Sequence, residues 1–482
     1  MNAMRQILLI IGVIFGLGMV SCINDDFTDS PSATLTFSTD TVSFGTVFTD
    51  LNTPTARLVV FNNNSKGVNI SSIKFADPET PFRFNVDGVS SMEFSDVEIR
   101  GKDSIFVFIE CYIDADNSKE PRRVSDRLQF VTNGVTQEVE VEAWGWNVTR
   151  LKGVTLYEDM TMTADRPYIV FDSLVVAPRK TLTIEPGAMV LFHDNAELIV
   201  RGSLKALGSP DAFVQMRGDR LDDVLPDIGY DILAGQWTGI RICPESFNNR
   251  MEYVDMRSTV EGLYIDSCTN LKRQKLTLIN SWLHNSQSTV LDSRYAKVDA
   301  YGCCFSEAGM AVVRLVGGEH LFTQCTIANY YLFTSFGESN LALYHVRPDV
   351  DPGNNEPLMK ASFDNGILWG DIGQPVNIGD LTDTQVFFRN MLIKADGEDD
   401  DNFISCIWNE NPLFMTVRQD YYFNYHIGLE SPAIGRGNPE YVTQQALYDM
   451  DGVNRLSDGN PTLGAFARPQ SEAGENPLSL RR

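Results

Sequence analysis

"LTLINSWLHN" (276–285) can be laid over "VDAYGCCFSE" (298–307), and three further stretches follow the same pattern: "HLFTQCTIAN" (320–329), "ASFDNGILWG" (361–370) and "VFFRNMLIKA" (386–395). Each runs through apolar residues, breaks at one polar or small residue, then resumes with an apolar stretch. The breaks fall at Asn280, Gly302, Gln324, Asn365 and Asn390, spaced by 22, 22, 41 and 25. Asp255 in "MEYVDMRS" precedes Asn280 by 25. The 41-residue gap contains "NLALYHV" (340–346), which reads as an intervening rung. A period of about 20–50 residues marks a repeat architecture, in which each unit completes its core only against its neighbours. With all-strand content and about 22 residues per turn, the expected architecture is a right-handed parallel β-helix, a solenoid. Asn280, Asn365 and Asn390 then read as a structural ladder, each amide bonding to the one a rung away; chance recurrence is the alternative. Cys303 and Cys325 align with Ser281 and read as small residues stacked inward.

Upstream, "DSLVVAPRKTLTIEPGAMVLFHDNAELIVRGSLKALGS" (172–209) alternates short apolar strands with Pro-Gly and Gly turns, with no helix-period segment. Residues 33–147 differ in kind. "DSIFVFIECYI" (103–113) places Ile105, Val107, Ile109 and Cys111 on one face and Phe106, Phe108 and Glu110 on the other. "RLQFVTNGVTQEVEVEAW" (127–144) carries Asn133-Gly134 between two strands, a strong hairpin signal. Val139, Val141 and Ala143 alternate with Glu138, Glu140 and Glu142, one face dry and one wet. About 115 such residues point to an immunoglobulin-like β-sandwich. The expected fold is therefore all-β, with a sandwich at 33–147 followed by the β-helix and its closing segment at 148–467, and a flexible tail at 468–482.

The N-terminus adds an address. Arg5 precedes an apolar run from Ile7 to Val20, about 14 residues, too short to span a bilayer, which needs roughly 20. A basic start, a short apolar core and a small residue describe a signal peptide at 1–21. Met19-Val20-Ser21-Cys22 resembles a bacterial lipobox, whose cysteine is acylated and becomes the new N-terminus; a plain secreted protein is the alternative. Residues 22–32 then form a linker, and Cys22 is the expected lipidation site. The expected location is the outer membrane, at the cell surface, with the membrane as partner through the lipid.

Three resemblances extend this. "LTFSTDTVSFGTVF" (35–48) resembles the opening of ASH-group immunoglobulin-like modules. "LTIEPGAMVLF" (182–192), "AELIVRGSLKALGS" (196–209) and "QWTGIRI" (236–242) resemble successive opening coils of bacterial β-helices. The phrases "NPLF", "LESPAIGRGNP", "DMDGVNR" and "PTLGAFA" between 411 and 467 resemble the closing segment of the choice-of-anchor Q family, although Gly435-Arg436-Gly437 stands where that family commonly has an acidic residue and Gly. Together with the lipobox, the chain resembles Bacteroidetes surface lipoproteins, and Asp25-Asp26 resembles their acidic export signal.

Composition bounds the partners. Lys+Arg 39 against Asp+Glu 64 gives −25, and removal of Arg5 with the signal peptide makes it −26. Such a charge repels phosphate backbones, which excludes nucleic acid as a partner. The eight cysteines include no CxxC, and seven remain beyond Cys22, so no disulfide framework is expected; one pair, Cys303 or Cys304 with Cys325, is the alternative.

Catalytic constellations are sparse. Asp222-Asp223 in "GDRLDDVLPDIGYD" (218–231) could supply glycosidase carboxylates but reads more simply as an acidic insertion loop. Arg257, Arg314 and Lys297 lie near acids without a binding pattern. The histidines at 193, 284, 320, 345 and 426 share no ligand spacing. "DGEDDDN" (396–402), with Asp399, Asp400 and Asp401, resembles a calcium loop but lacks the spaced acid pattern, as does "DMDGVNRLSDGN" (449–460). Both read as solvated loops, with calcium the alternative and no cofactor expected. Tyr330, Tyr331 and Phe333 could form a sugar-stacking platform, or pack inward. The expected function is non-catalytic: an envelope lipoprotein presenting a β-helix to glycan or protein. A carbohydrate-active β-helix enzyme, a polysaccharide lyase or glycoside hydrolase, is the alternative.

Overall fold

The alternation read in "DSIFVFIECYI" is realised as a strand, Ser104–Cys111, with Ile105, Val107, Ile109 and Cys111 buried and Phe106 and Phe108 exposed. In the computed structural model, which describes residues 26–225, 228–268, 270–333, 337–344, 358–371, 376–377, 385–419 and 421–468, the protein is all-β. Three short 3-10 turns are the only helical elements among the described residues. Two compact units meet in sequence at Asn147/Val148. The expected signal peptide, Cys22, Asp25, His345 and the expected tail beyond 468 lie outside the described residues.

The first unit contains two sheets. One orders Thr36–Phe37, Ala56–Phe61, Ser104–Cys111, Phe82–Val86 and Val89–Ser91; the other is built on Thr41–Phe48, Val135–Trp146, Arg122–Thr132 and Val68–Phe75. Asn133 (φ 52) and Gly134 (φ 79) both take the left-handed conformation that a tight hairpin turn requires, and Thr132 faces Val135 across it. Leu58, Val107 and Phe82 from the first sheet and Ile70, Phe130 and Val141 from the second share one apolar core.

In the second unit a 25-stranded sheet runs from Thr149–Leu156 to Ile407–Trp408, and every pairing within it is parallel. The registers step along the chain by the interval read in the sequence. Met251 pairs with Leu278, Leu278 with Ala300, Ala300 with Phe322, Phe322 with Phe363, and Phe363 with Phe388. The ladders close a ring of six parallel strands: Tyr168–Val176, Met189–Phe192, Val214–Gly218, Val254–Ile265, Trp237–Ile242 and Glu197–Val200. The ring closes because its two longest members turn mid-strand, at Asp172 (φ 61) and Ser258 (φ 66), and so pair on two sides. Other strands bond outside it.

The five break positions form one structural column. Asn280, Gly302, Gln324, Asn365 and Asn390 have φ of 44, 63, 57, 54 and 49, so the chain turns a left-handed corner at each. The residue just before each corner pairs with its equivalent one pass later: Ile279 with Tyr301, Tyr301 with Thr323, Thr323 with Asp364, Asp364 with Arg389. Each corner N–H donates to that carbonyl, as in Asn280 N to Tyr301 O (2.8 Å) and Asn365 N to Arg389 O (2.9 Å). Residues other than glycine, Asn and Asp seldom adopt such φ, which fits the glycine and asparagines that recur here.

Two details differ from the sequence reading. The residue preceding Asn280 in the column is Tyr253 (φ 49), not Asp255, which lies past the corner and pairs with Trp282. The 41-residue gap is one step rather than two, because Thr323 pairs directly with Asp364; Leu341–Tyr344 pairs with Val313–Val316, on another part of the same pass.

The amides also bond differently from a ladder running between neighbouring asparagines. Asn365 Nδ2 donates to Asn438 O (2.9 Å) while Asn438 N donates to Asn365 Oδ1 (2.8 Å). Asn280 donates to Tyr448 O (3.0 Å) and to the Tyr253 hydroxyl (2.9 Å), and Asn390 to Arg436 O (3.2 Å). Turned to satisfy both its ends, the Gln324 amide donates to Thr462 O and accepts from Asn365 Nδ2 (3.1 Å), a single amide-to-amide link. The corner column is thus a docking track for residues 436–465. Buried Arg455 reinforces it by donating to Gly464 O and Ala465 O. Asn365→Ala should lower the unfolding free energy by about 1–3 kcal/mol, through lost hydrogen bonds and an unfavourable φ. Asn365→Gly should recover only the φ part. Urea titration of the whole chain measures both, and an unchanged Asn365→Ala would contradict this role.

Candidate functional site

Glu197–Val200, Trp237–Ile242 and Val254–Ile265 lie side by side, in register Glu197–Gly239–Gly262 and Ile199–Arg241–Tyr264. Their alternation sends Leu198, Ile240, Ile242, Leu263 and Ile265 into the core and leaves Glu197, Arg241 and Tyr264 on the outer face. Between them is a cleft of about 200 Å³, walled by Glu197, Thr238, Arg241, Glu261 and Tyr264. Its floor is bare backbone. A Cβ on Gly239 (φ +128) would sit 2.1 Å from Gly262 O, and one on Gly262 (φ +73) would sit 2.1 Å from Thr289 O. Glycine is therefore required at both positions, where the backbone of the neighbouring strand leaves no room for a side chain.

Burial pushes the Glu197 carboxyl above its ordinary pKa; the Arg241 guanidinium opposes this and the Glu261 charge adds to it. Arg241 is held by Asp266 (2.9 Å) and lies 5.7 Å from the centre of the Tyr264 ring. Thr238 donates its hydroxyl to Asn195 O (2.8 Å), which leaves the oxygen free to accept. Carboxylates, an aromatic ring and an acceptor around a small open cleft suit a hydroxyl-rich ligand no larger than a sugar ring or two.

A second polar group, along the same outer face, is closed upon itself. Asp231, from the 218–231 loop, bridges Arg217 (3.2 Å) and Arg257 (3.0 Å). Arg257 also pairs with Asp255, which receives His284 Nε2 at 3.1 Å. Burial would raise the Asp255 pKa, but Arg257 and His284 outweigh it and hold the carboxyl well below the usual range. His284 stacks on Trp282 with centroids 4.5 Å apart. Beyond Ser306, buried Glu307 accepts from the Tyr425 hydroxyl, and burial raises its pKa. Asp231 and Asp255 are matched by Arg217, Arg257 and His284, and together with the Glu307–Tyr425 bond these contacts tie the insertion loop and the Tyr422–Ile427 strand to the sheet.

The residues singled out from the sequence take other roles. Tyr330 and Tyr331 are buried, with Arg418 donating to both their carbonyls (2.8 and 3.2 Å), so they form no stacking platform; Phe333 alone is exposed, at 46%. The Tyr330 ring turns inward to join the apolar cluster around Tyr425 and Trp369, and the Tyr331 ring packs edge-on against Phe333. Asp399 caps its own turn through Ser405 N (2.7 Å) and Cys406 N (3.1 Å), as Asp400 does through Asn402 N (2.7 Å) and Phe403 N (2.8 Å), while Asp401 is exposed. Asp449 is buried and accepts from Asp451 N, Val453 N and Ala467 N. No group of three or more metal-ligating side chains occurs among the described residues. Asp222 pairs with Arg220, which lies over the Tyr230 ring at 3.9 Å, so it serves the loop itself. The seven described cysteines are free thiols, and Cys303 and Cys325 point inward with their sulfurs on Tyr301 O and Thr323 O. The cleft residues were missed. Their signal was two glycines 23 residues apart, Gly239 and Gly262, each followed two residues later by a side chain able to bind a ligand, Arg241 and Tyr264.

No family model matches the chain. A 72-residue stretch is 35% identical to Protein bark beetle of Drosophila melanogaster, covering 15% of this chain and 2% of that protein. The chain therefore spans a small fraction of that curated relative. Among solved structures, it resembles a protein of unknown function from Porphyromonas gingivalis W83 over 26% of this chain and 50% of that one (12% identity, TM-score 0.18). It also resembles the ASH/PapD-like domain 7 of human CEP192 over 26% and 93% (11% identity, TM-score 0.18). A family 123 glycoside hydrolase from Clostridium perfringens matches over 23% and 25% (8% identity, TM-score 0.17). At these TM-scores the likenesses carry no argument about fold or function.

Of the histidines, His320 carries the clearest consequence. It is fully enclosed, its Nε2 on Gly317 O (2.8 Å), and burial pushes its pKa down to about 4. The unfolded imidazole takes its proton near about 6.5. The unfolded state therefore binds more protons between these values, so stability falls as pH drops through the window, by roughly 1.4 kcal/mol per unit. His320→Gln should remove that contribution. Urea titrations at several pH values would measure it, and an unaltered slope in the variant would contradict it.

Proposed function

We propose that the chain is a surface lipoprotein of the outer membrane whose second unit binds glycan, without catalysis, at the Glu197–Tyr264 cleft. Its first unit, on this reading, is an immunoglobulin-like β-sandwich acting as a spacer, and its second a right-handed parallel β-helix closed by its C-terminal segment. The parallel registers advancing by about 22 residues, with a corner at each step, support the β-helix. The docking of 436–465 along those corners is what a closing segment of the choice-of-anchor Q kind would do. The lipobox motif carries the envelope address, and the Bacteroidetes resemblance rests on it together with the acidic pair behind it.

The observation that carries the binding reading is the cleft: a tyrosine ring, an arginine and two carboxylates around a glycine floor, standing apart from the self-neutralised network beside it. Tyr264→Ala, which leaves the inward residues untouched, should reduce glycan affinity by about tenfold or more while the melting temperature stays within a few degrees. A glycan array followed by titration calorimetry measures this, and undiminished binding would remove the cleft from the function. Cys22→Ser should yield a soluble, unacylated protein in detergent-phase partitioning. Retention of that variant in the membrane would sink the anchor.

One observation favours an enzymatic reading. Glu197, with its raised pKa, stands near Glu261 in the same cleft, and glycosidases work with one protonated and one ionised carboxyl. Reducing ends or unsaturated uronate released from a polysaccharide panel would decide for catalysis.

A further inference from the structure

We propose that the cleft's ligand is an amino-bearing sugar, held by its ammonium group between Glu197 and Glu261. The inference rests on the glycan-binding reading and names the sugar class.

Several half-buried acids on this unit are matched with bases. Asp231 and Asp255 pair with Arg257, Asp364 with Arg389, and Asp266 with Arg241. Half-buried Glu197 and exposed Glu261 are not so matched: neither carboxyl has a hydrogen bond or ion pair among the described residues, and both line the same cavity. Arg241, the cation of the cleft, is already bonded to Asp266. The cleft therefore carries two carboxylates against one arginine that is already bonded to Asp266, and the Thr238 oxygen adds a further acceptor. Such a set of acceptors asks for donors.

Three classes of sugar answer differently. A uronate brings a third carboxylate beside Glu197 and Glu261 and is repelled. A neutral or N-acetylated sugar offers hydroxyl and amide donors but leaves the charge uncompensated. A protonated amino sugar supplies several donors and the missing positive charge, and charge-assisted hydrogen bonds of this kind are about twice as strong as neutral ones. Gly239 and Gly262, which carry no side chain, line the same cavity as both carboxylates. The net charge of −25 steers cations toward the surface in general, so the discriminating feature is the cleft and not the overall field.

The test is titration calorimetry of the full mature chain at about pH 6 with the glucosamine dimer, its N-acetylated counterpart and the galacturonate dimer. The glucosamine dimer should bind at least about tenfold tighter than the acetylated one, with no binding of the uronate. Glu197→Gln and Glu261→Gln should each weaken it by about tenfold with unchanged melting temperature, and exposed Glu261 keeps the test valid should Glu197→Gln unfold. The surface control Glu410→Gln should leave affinity unchanged. Equal affinity for the acetylated dimer, preference for the uronate, or equal loss in the Glu410→Gln control would overturn the inference. The first two would leave glycan binding standing. Failure of the whole glycan array would instead remove the broader reading.

Discussion

The constraint on which the second unit depends is a corner that must be turned in the same place on every pass. A residue with left-handed φ sits at each turn, and its N–H donates to the carbonyl preceding the next corner. That bond fixes register, because a slip of one residue would exchange inner and outer faces along the strand. With register fixed, like stacks on like. Phe322, Phe363, Phe388 and Phe403 lie one above another with centroids 5.2, 4.9 and 4.7 Å apart, close to the roughly 4.8 Å between adjacent strands. Aromatic stacking and backbone pairing therefore reinforce each other instead of competing.

The same corners explain the C-terminal segment. A left-handed amide has its backbone N–H engaged within the sheet, while its side chain remains available at the edge. Asn280, Gln324, Asn365 and Asn390 spend those side chains on a strand-free stretch more than 45 residues downstream of the last of them. The segment brings its own apolar residues, Ala433, Met450, Leu463 and Phe466, and buries them with Trp369, Ile407 and Tyr425. Two glycines on a different part of the sheet do the opposite. Gly239 and Gly262 stack where the neighbouring backbone leaves no room for a side chain, and both line the cleft that the functional proposal uses.

Much of this was legible in the sequence, and the reasons for the failures are physical. Alternation gave the Ser104–Cys111 faces and the Asn133-Gly134 hairpin because one side of a sheet is dry. The corner column was readable because Asn and Gly tolerate positive φ, whereas Tyr253 adopts it without advertising it, so the polar Asp255 was taken in its place. The partners of the amides lie far along the chain, where no local pattern could point. Tyr330 and Tyr331 were ambiguous because an aromatic pair after a strand looks the same whether it faces solvent or a later hairpin. The cleft was invisible to a search for acid pairs close in sequence: Glu197 and Glu261 are 64 residues apart and meet only through the stacking of intervening passes.

The claim that successive passes pair in register can be tested directly by cross-linking. Thr277 and Asp299 face each other across two passes and both project outward, whereas Lys297 is displaced along the strand by two residues. Bridging by a disulfide needs Cα atoms within about 7 Å. The account predicts that the Thr277→Cys/Asp299→Cys double variant closes under mild oxidation while Thr277→Cys/Lys297→Cys stays open. Closure of the second pair, or of neither, would contradict it.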